Sequence, residues 1–312
     1  MKRPPRLQRG DVIGLIAPAG PIQDRPVLTK AIAEIEHRGY KVALGRHAAQ
    51  PAFGYLSGTD HERRADLEEM STSSDVKAIF CLKGGYGTLR LCTEDIRPIL
   101  PSAEKIFVGF SDVTTLLLSG FAAHGGIVFH GPMPLFNFEG PECTGQNAET
   151  LFKMLQGDTE SSLRIDLGGC GYSSTSQDQV RGVLWGGSLS TMTFLSGTNL
   201  IAPVNDAIVF FEDVDERPYA IDRYLTRLQL SGLFDQARAF IVGDLVDCLP
   251  MPDKPSFTAR EVILERLSRY GVPIVFTQAF GHADRMCTFP IGGGATLDCG
   301  MGIISLNDSP VS

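Results

Sequence analysis

The sequence predicts an α/β protein built of two domains. In the first half, continuous apolar runs alternate with longer helix-like segments, the pattern of parallel strands joined by helices. The chain has 312 residues, of which 43% are apolar, enough for a large core and a length typical of two domains. Residues 157–179 are rich in Gly, Ser and Thr with little periodicity. We interpret them as a linker between residues 1–156 and 180–312.

Four strands and four helices are expected in the first domain. The strands are predicted at 12–17, 40–45, 76–82 and 105–110, and the helices at 27–39, 61–73, 89–96 and 112–125. The carboxyl ends of such parallel strands meet at one edge of a sheet, where ligands bind in open α/β folds. The turns "APAG", "KGGYG" and "GFSD" follow three of these strands, and a site is expected there.

The second domain reads as mixed α/β. The domain begins with an apolar segment at 180–198, and the strand 207–214 is followed by a helix at 220–234 and a strand at 239–245. Short strands separated by glycines complete the chain between 286 and 306. Short strands of this kind beside the longer strand and helix segments indicate a mixed α/β domain.

Bulk properties exclude several classes of partner. The net charge is −8, and no basic cluster occurs beyond "MKRPPRLQR", so neither nucleic acid nor a membrane is an expected partner. The seven cysteines lack C-x-x-C spacing, which suits neither a disulfide framework nor a zinc site. The apolar run 12–17 is too short for a secretory signal. We expect a cytoplasmic protein without metal or cofactor.

Ser111 lies where a strand passes directly into a helix, and two interpretations compete there. A serine at such a junction commonly caps the helix by accepting a backbone N–H. Alternatively, it is a nucleophile held on a tight strand-to-helix turn. The serine alone does not decide between a cap and a nucleophile.

A nucleophilic serine needs a base and an acid that orients the base. Among the six histidines, His130 and His282 each end a strand, and position favours either of them. Glu212 ends an apolar strand and should be buried, so it needs a hydrogen-bonding partner such as an imidazole. The neighbouring Asp213 and Asp215 fit a solvated loop before a helix.

The glycine-rich turn within residues 82–90 supplies a third element. It ends a strand and opens a helix, which leaves backbone N–H groups free of side chains. Such groups stabilise an oxyanion or cradle a phosphate. The turn lacks the residue order of a P-loop.

Taken together, these motifs resemble the LD-carboxypeptidase family, serine peptidase family S66, also called muramoyltetrapeptide carboxypeptidases. The resemblance runs nearly end to end, through "GDVIGLIAPAGP", "KAIFCLKGGYGTLRLC", "VGFSDVTTLLL", "HGP", "GVLWGGSLSTMTFLSGT", "FFEDVDERPYAIDRYLTRLQLSGLF" and "GHADRMCTFPIGGGATLD". It implies a flavodoxin-like N-terminal domain and a smaller, β-rich, swivelling C-terminal domain. The site would lie in the cleft between them.

The resemblance also implies residue roles. Ser111 is the nucleophile, Glu212 and His282 complete the triad, and the amides of Gly85 and Asp112 form the oxyanion hole. We assign Lys83, Gly84 and Tyr86 of the glycine turn to substrate binding. The family typically has arginine where this chain has Lys83, which keeps the charge and loses bidentate carboxylate binding.

The function implied is release of the terminal D-alanine from cell-wall muropeptide tetrapeptides during murein recycling, by a homodimer that needs no cofactor. One alternative is the microcin-immunity branch, which cleaves peptide–nucleotide conjugates. Against it, the one tryptophan, Trp185, falls within the family's own "LWGG" motif. The sequence therefore offers no additional aromatic platform on which a nucleotide base could stack. A second alternative is a two-domain protein that binds a small ligand and catalyses nothing.

Overall fold

The computed structural model describes residues 1–136, 138, 146–157, 163–168, 171–173 and 179–312. Its strands are β1 (Val12–Ile16), β2 (Lys41–Leu44), β3 (Val76–Cys81), β4 (Ile106–Gly109), β5 (Val128–His130), β6 (Arg164–Asp166), β7 (Gly171–Ser173), β8 (Gln179–Ser188), β9 (Ala207–Val214), β10 (Ala237–Val246), β11 (Ile274–Phe276), β12 (Phe289–Ile291), β13 (Gly294–Asp298) and β14 (Ile303–Leu306). Its α-helices are α1 (Arg25–His37), α2 (Asp60–Thr72), α3 (Thr88–Leu91), α4 (Thr114–His124), α5 (Gln146–Gln156), α6 (Leu189–Leu195), α7 (Pro218–Leu230) and α8 (Ala259–Leu267).

The first sheet is the parallel sheet that the sequence predicts. Five strands pair in parallel in the order β5-β4-β3-β1-β2, which is the flavodoxin-like order. Strands β3 and β4 are buried along almost their whole length, because helices cover a doubly wound sheet on both faces. The order reverses between β1 and β3, so the turns that follow these two strands border the crevice where such folds bind ligands.

The second sheet contains eight strands in the order β6-β14-β13-β8-β9-β10-β11-β7. Its centre, β8 to β11, is parallel, and antiparallel strands extend it on both sides. Parallel strands here need helical crossovers, which α6, α7 and α8 supply. The second half is thus the mixed α/β unit that the sequence predicts.

Two features differ from the predicted division at 157–179. Strands β6 and β7 lie within the predicted linker and pair with β14 and β11 of the second sheet. Strand β12, from the second half of the chain, pairs with β5 of the first sheet. Each of these strands has three residues, too few to show periodicity, and distant partners determine their pairing. The rest of 157–179, apart from Gly157, 163, 167–168 and Gln179, lies outside the described residues.

The described helices are all too short or too polar to cross a lipid bilayer.

Candidate active site

The backbone at Ser111 turns sharply out of the sheet. Strand β4 ends at Gly109, Phe110 is extended, and Ser111 has a φ of +60° before α4 begins at Thr114. A left-handed conformation is unfavourable for a residue with a side chain, and such strain is found at functional sites. Gly109 is required because a Cβ atom there would lie 2.5 Å from Cγ1 of Val113.

The structure does not support the cap interpretation of Ser111. The residues at the N-cap positions of the 3-10 turn Ser111–Val113 and of helix α4 are Phe110 and Val113, and neither makes a side-chain cap hydrogen bond. The Ser111 hydroxyl instead lies 3.0 Å from Nε2 of His282. This sharp strand-to-helix turn resembles a nucleophile elbow.

His282 bridges Ser111 and Glu212. Its Nδ1 lies 2.7 Å from Oε2 of Glu212, on the side of the ring opposite Ser111. Both separations fall within the range expected for a nucleophile, its base and an orienting acid. Because Glu212 accepts the Nδ1 proton, Nε2 carries the lone pair that faces the hydroxyl.

The chain brings His282 into place through a short irregular segment after β11. The amide of Asp244, in β10, donates to the carbonyl of Phe280 at 2.9 Å. Gly281 has a φ of +133°, and a Cβ atom there would lie 2.9 Å from the Cβ of Asp244. Only glycine suits this turn, which directs the next residue, His282, towards Glu212.

Glu212 is fully buried near the end of β9, as the apolar run before it predicts. Its Oε2 pairs with His282, and no described residue hydrogen-bonds to its Oε1. Burial by itself would lower the pKa of His282. The hydrogen bond to Glu212 and the charges of Glu212 and Asp213 outweigh that effect, and the pKa is raised above its ordinary value.

Asp213 corrects a sequence-based interpretation, because it is not solvated. It is 4% exposed and accepts hydrogen bonds from the amide of Ser190 at 2.7 Å and the amide of Val214 at 3.0 Å. It therefore caps the first turn of α6. Burial, with the charge of Glu212 as a further cause, raises the pKa of Asp213 to about 7.

His130, the other candidate base, lies behind the triad without a contact to Ser111. It is fully buried, and neither ring nitrogen has a hydrogen-bond partner among the described residues. Its ring packs against Phe110, Phe210 and Phe280, with centroids 5.9, 5.3 and 6.2 Å away. Burial, then the charge of His282, lowers the pKa of His130 to about 3. A neutral, packed ring is a structural histidine.

The glycine turn packs directly on the elbow. A Cβ atom at Gly84 would lie 2.9 Å from the Cβ of Ser111 and 3.0 Å from its Oγ. Gly85 has a φ of +113°, and a Cβ atom there would lie 3.4 Å from the backbone of Gly20. The amide of Gly20 donates to the carbonyl of Gly84 at 3.1 Å. These close contacts place the Gly84–Gly85 backbone beside the serine.

Asp112 ties the elbow to the glycine turn. Its carboxylate accepts the amide proton of Thr88 at 2.9 Å, and the Thr88 hydroxyl donates to the Asp112 carbonyl at 2.6 Å. Its side chain therefore caps α3 rather than its own helix. Burial outweighs these hydrogen bonds and raises the pKa of Asp112.

Arg63 is a supporting residue that the sequence reasoning missed. It is 2% exposed and donates to the carbonyls of Gly58 at 3.2 Å and Gly87 at 2.8 Å, and also to that of Pro18. It thus holds together the turns after β1 and β3. The sequence does not predict this burial, because Arg63 lies among other polar residues of α2 and resembles an exposed side chain.

The predicted substrate-binding residues Lys83 and Tyr86 line an open groove of about 760 Å³ that also borders Gly85. Lys83 is half-buried and makes no ion pair with another described residue. The two halves of the chain meet beside this site, since the amide of Ser188 donates to the hydroxyl of Thr114 at 3.2 Å. Gly187 allows this contact, because a Cβ atom there would lie 2.4 Å from Cγ2 of Thr114.

A serine, histidine and glutamate linked in series beside a glycine-rich turn have the geometry of a serine hydrolase. Comparison with known proteins agrees with that class. Residues 13–131 match the model of the LD-carboxypeptidase N-terminal domain, and residues 181–297 match that of the C-terminal domain. The chain belongs to the LD-carboxypeptidase family. It is a serine carboxypeptidase, as the resemblance of its motifs implies.

Individual relatives cover almost the whole chain. The "Probable murein peptide carboxypeptidase" of Bacillus subtilis (strain 168) is 33% identical over 296 residues, which cover 95% of this chain and 91% of the relative. The "Murein tetrapeptide carboxypeptidase" of Pseudomonas aeruginosa is 30% identical and covers 92% of each chain.

Solved structures share the fold. The muramoyltetrapeptide carboxypeptidase of Oxalobacter formigenes has a TM-score of 0.78 at 28% identity, over 95% of this chain and 97% of its own. The Microcin C7 self immunity protein, in an inactive apo form, has a TM-score of 0.86 at 23% identity over 100% of both chains. The likeness to this second protein concerns the fold alone.

Proposed function

We propose that this enzyme hydrolyses the bond between an L-centred diamino acid and the terminal D-alanine of cell-wall tetrapeptides. The observation that carries the proposal is the contact series from Ser111 to His282 to Glu212, at 3.0 and 2.7 Å. Relatives named murein peptide and murein tetrapeptide carboxypeptidases support the substrate class.

In the first step, Oγ of Ser111 attacks the carbonyl carbon of the diamino acid, and Nε2 of His282 accepts the hydroxyl proton. The imidazolium then gives this proton to the nitrogen of D-alanine, which leaves as the free amino acid. In the second step, His282 takes a proton from water, and the resulting hydroxide attacks the acyl-enzyme. The serine recovers its proton from His282.

Glu212 keeps His282 in the required tautomer during both steps. Its carboxylate accepts the Nδ1 proton and stabilises the imidazolium as it forms. The raised pKa of His282 agrees with this role, because the same contact makes the imidazole a stronger base.

The amides of Gly85 and Asp112 are proposed to bind the oxyanion. Gly85 adjoins Gly84, which packs on Ser111, and Asp112 directly follows the nucleophile. Donors fixed in this way need no rearrangement as negative charge develops on the carbonyl oxygen. The ammonium of Lys83, which pairs with no carboxylate of the described residues, is suited to a carboxylate of the substrate.

Location and assembly form a further part of the proposal. We expect a cytoplasmic homodimer that acts on recycled murein fragments and binds no nucleic acid, with residues 1–156 carrying the nucleophile and 180–312 the acid and base. Cell fractionation tests the location, and sedimentation equilibrium of the purified protein tests the assembly.

The substrate is tested with two synthetic peptides that differ in their last bond. One ends in an L-centred diamino acid followed by D-alanine, and the other ends in D-alanyl-D-alanine. We expect mass spectrometry to detect D-alanine released from the first peptide alone. Release from the second peptide only, or from neither, would contradict the proposed function.

A further inference from the structure

The groove beside Gly85 is larger than the leaving group requires. It is an open groove with a volume of about 760 Å³, whereas the departing D-alanine is a single small residue. The groove is continuous with the proposed oxyanion site, because Gly85 lines it together with Lys83 and Tyr86. Its extra length therefore suits the acyl part of the substrate, which bears the rest of the peptide.

Two exposed tyrosines form one wall of the groove. Tyr55 is 65% exposed and Tyr86 is 49% exposed, and their ring centroids lie 5.7 Å apart at an interplanar angle of 60°. Large side chains with this exposure beside an active site mark a contact surface for a ligand. Tyrosine also offers a hydroxyl at the end of an apolar face.

The turn that carries Tyr55 is held firmly although its tip is exposed. Phe53 and Leu56 exchange two backbone hydrogen bonds of 2.9 and 3.1 Å, which close the turn around Tyr55. The Leu56 side chain is buried against Gly87, and the amide of Ser57 donates to the carbonyl of Ala19 at 3.0 Å. The backbone at Tyr55 is therefore fixed relative to the glycine turn, and a ligand need not order this turn.

Two further polar side chains line the groove. Gln23 contributes an amide, and Lys83 contributes an ammonium that pairs with no carboxylate in the described part of the chain. The Lys83 chain crosses Gly20, with its Cε 3.5 Å from the position of a Cβ atom there. Its ammonium therefore lies close to Gly20, which also lines the groove.

We propose that this groove is a subsite for the sugar-bearing end of a muropeptide, in which a pyranose ring packs on Tyr55 and Tyr86 and a substrate carboxylate pairs with Lys83. The proposal rests on the proposed function. Amide, hydroxyl and ammonium donors suit the hydroxyl, acetamido and carboxylate groups of such a substrate. The relatives named murein peptide and murein tetrapeptide carboxypeptidases favour a sugar over a planar base as the occupant. The tyrosine pair also corrects the expectation of no additional aromatic platform.

The test compares the kcat/KM for D-alanine release from two substrates, an N-acetylmuramoyl-tetrapeptide and the same tetrapeptide without the sugar. We expect the wild-type enzyme to prefer the sugar-bearing substrate by roughly tenfold, as one aromatic contact provides. Tyr55→Ala should reduce this ratio to about one. Phe257→Ala is the matched control, because Phe257 is also exposed, at 69%, and lines a different surface groove. It should keep the preference.

Each outcome distinguishes this subsite from the proposed function. Equal efficiency on both substrates in the wild type, or a preference that survives Tyr55→Ala, would overturn the subsite and leave the carboxypeptidase assignment intact. Inhibition by adenosine monophosphate that exceeds inhibition by N-acetylmuramic acid and disappears in Tyr55→Ala would replace the sugar with a base. Failure to release D-alanine from either substrate would overturn both proposals.

Discussion

Ser111 combines an unfavourable backbone with a hydroxyl that contacts His282. Its φ of +60° places a serine where glycine would be more stable, and a left-handed conformation costs a residue with a Cβ about 1–2 kcal/mol. A residue that served only the fold would have no reason to keep that strain. The strain therefore favours a role in the reaction.

This strain predicts a difference between two substitutions. Ser111→Gly removes both the hydroxyl and the strained Cβ, whereas Ser111→Ala removes the hydroxyl alone. We expect the glycine variant to be more stable than the alanine variant by about 1 kcal/mol in equilibrium urea unfolding. A glycine variant of equal or lower stability would show that the elbow is not strained.

The His282–Glu212 pair predicts the pH dependence of the reaction. His282 must be neutral to accept the Ser111 proton, and its pKa is raised by Glu212. The kcat/KM should therefore rise with pH through an apparent pKa above the ordinary histidine value of about 6.5. In Glu212→Gln this limb should move to lower pH, while kcat falls by roughly 10⁴ because the tautomer is no longer fixed. An unchanged limb in the glutamine variant would separate Glu212 from the titration of His282.

The His282–Glu212 pair also contributes to stability, and this contribution falls as pH rises, whereas activity increases. Because the folded pKa of His282 is raised, the charged pair contributes fully below the unfolded pKa, and its contribution is lost as pH rises through the folded pKa. The active form of the site is thus the less stabilised form. Unfolding free energies of wild type and Glu212→Gln should converge at high pH.

At the residue scale, the sequence singled out Ser111, Glu212 and His282 as triad candidates because each lies at or just after the end of a predicted strand, and the structure brings the three side chains into contact. It could not separate His282 from His130, since both end strands, and burial and hydrogen bonding decide between them. From the sequence, only the resemblance to the family favoured His282 over His130. The sequence also misplaced Asp213 in solvent, because a run of acidic residues conceals which of them folds inward.

At the element scale, three turns meet with little space between them. The turns after β1, β3 and β4 contact one another through Gly20, Gly84 and Ser111. Arg63 joins the first two turns through hydrogen bonds to the carbonyls of Pro18 and Gly87. The spacing of these glycines shows where a turn lies. It does not reveal that the turns pack on one another, because that depends on the sheet order.

The contact at Gly84 gives a prediction at this scale. In Gly84→Ala, the new Cβ would lie 2.9 Å from the Ser111 Cβ, so the nucleophile or the turn must move. A displacement of this kind should lower kcat by about 10² while KM changes less. Gly120→Ala, in helix α4, is the matched control, since nothing lies within 4 Å of its added Cβ. Comparable kcat values in the two variants would contradict the proposed packing role.

The strands also differ in how far the local sequence predicts them. Parallel strands β1, β3 and β4 were predictable because continuous apolar runs of this length are typical of strands that are buried on both faces of a parallel sheet. Strands β6, β7 and β12 were not, because three residues carry no period and their partners are distant in the chain. Non-local pairing, rather than local propensity, also explains why β12 joins the first sheet.

At the scale of the whole molecule, the site exists only because the two halves of the chain meet. Ser111 follows β4 of the first sheet, whereas Glu212 lies near the end of β9 and His282 follows β11, both in the second sheet. Gly187 and Thr114 bring the two halves into contact beside the nucleophile. Any change in the relative position of the halves would alter the distance between Ser111 and His282, so the cleft couples domain arrangement to activity.

The central claim is that Ser111 is the nucleophile of this carboxypeptidase. The most direct measurement is the rate of D-alanine release from a tetrapeptide by Ser111→Ala, with a melting temperature that matches the wild type. Folding should be preserved, because among the described residues the Ser111 hydroxyl hydrogen-bonds to His282 alone. We expect acyl-enzyme formation to be abolished and the rate to fall to the small remainder provided by binding and the oxyanion hole. Near-normal release by the folded variant would contradict the serine mechanism.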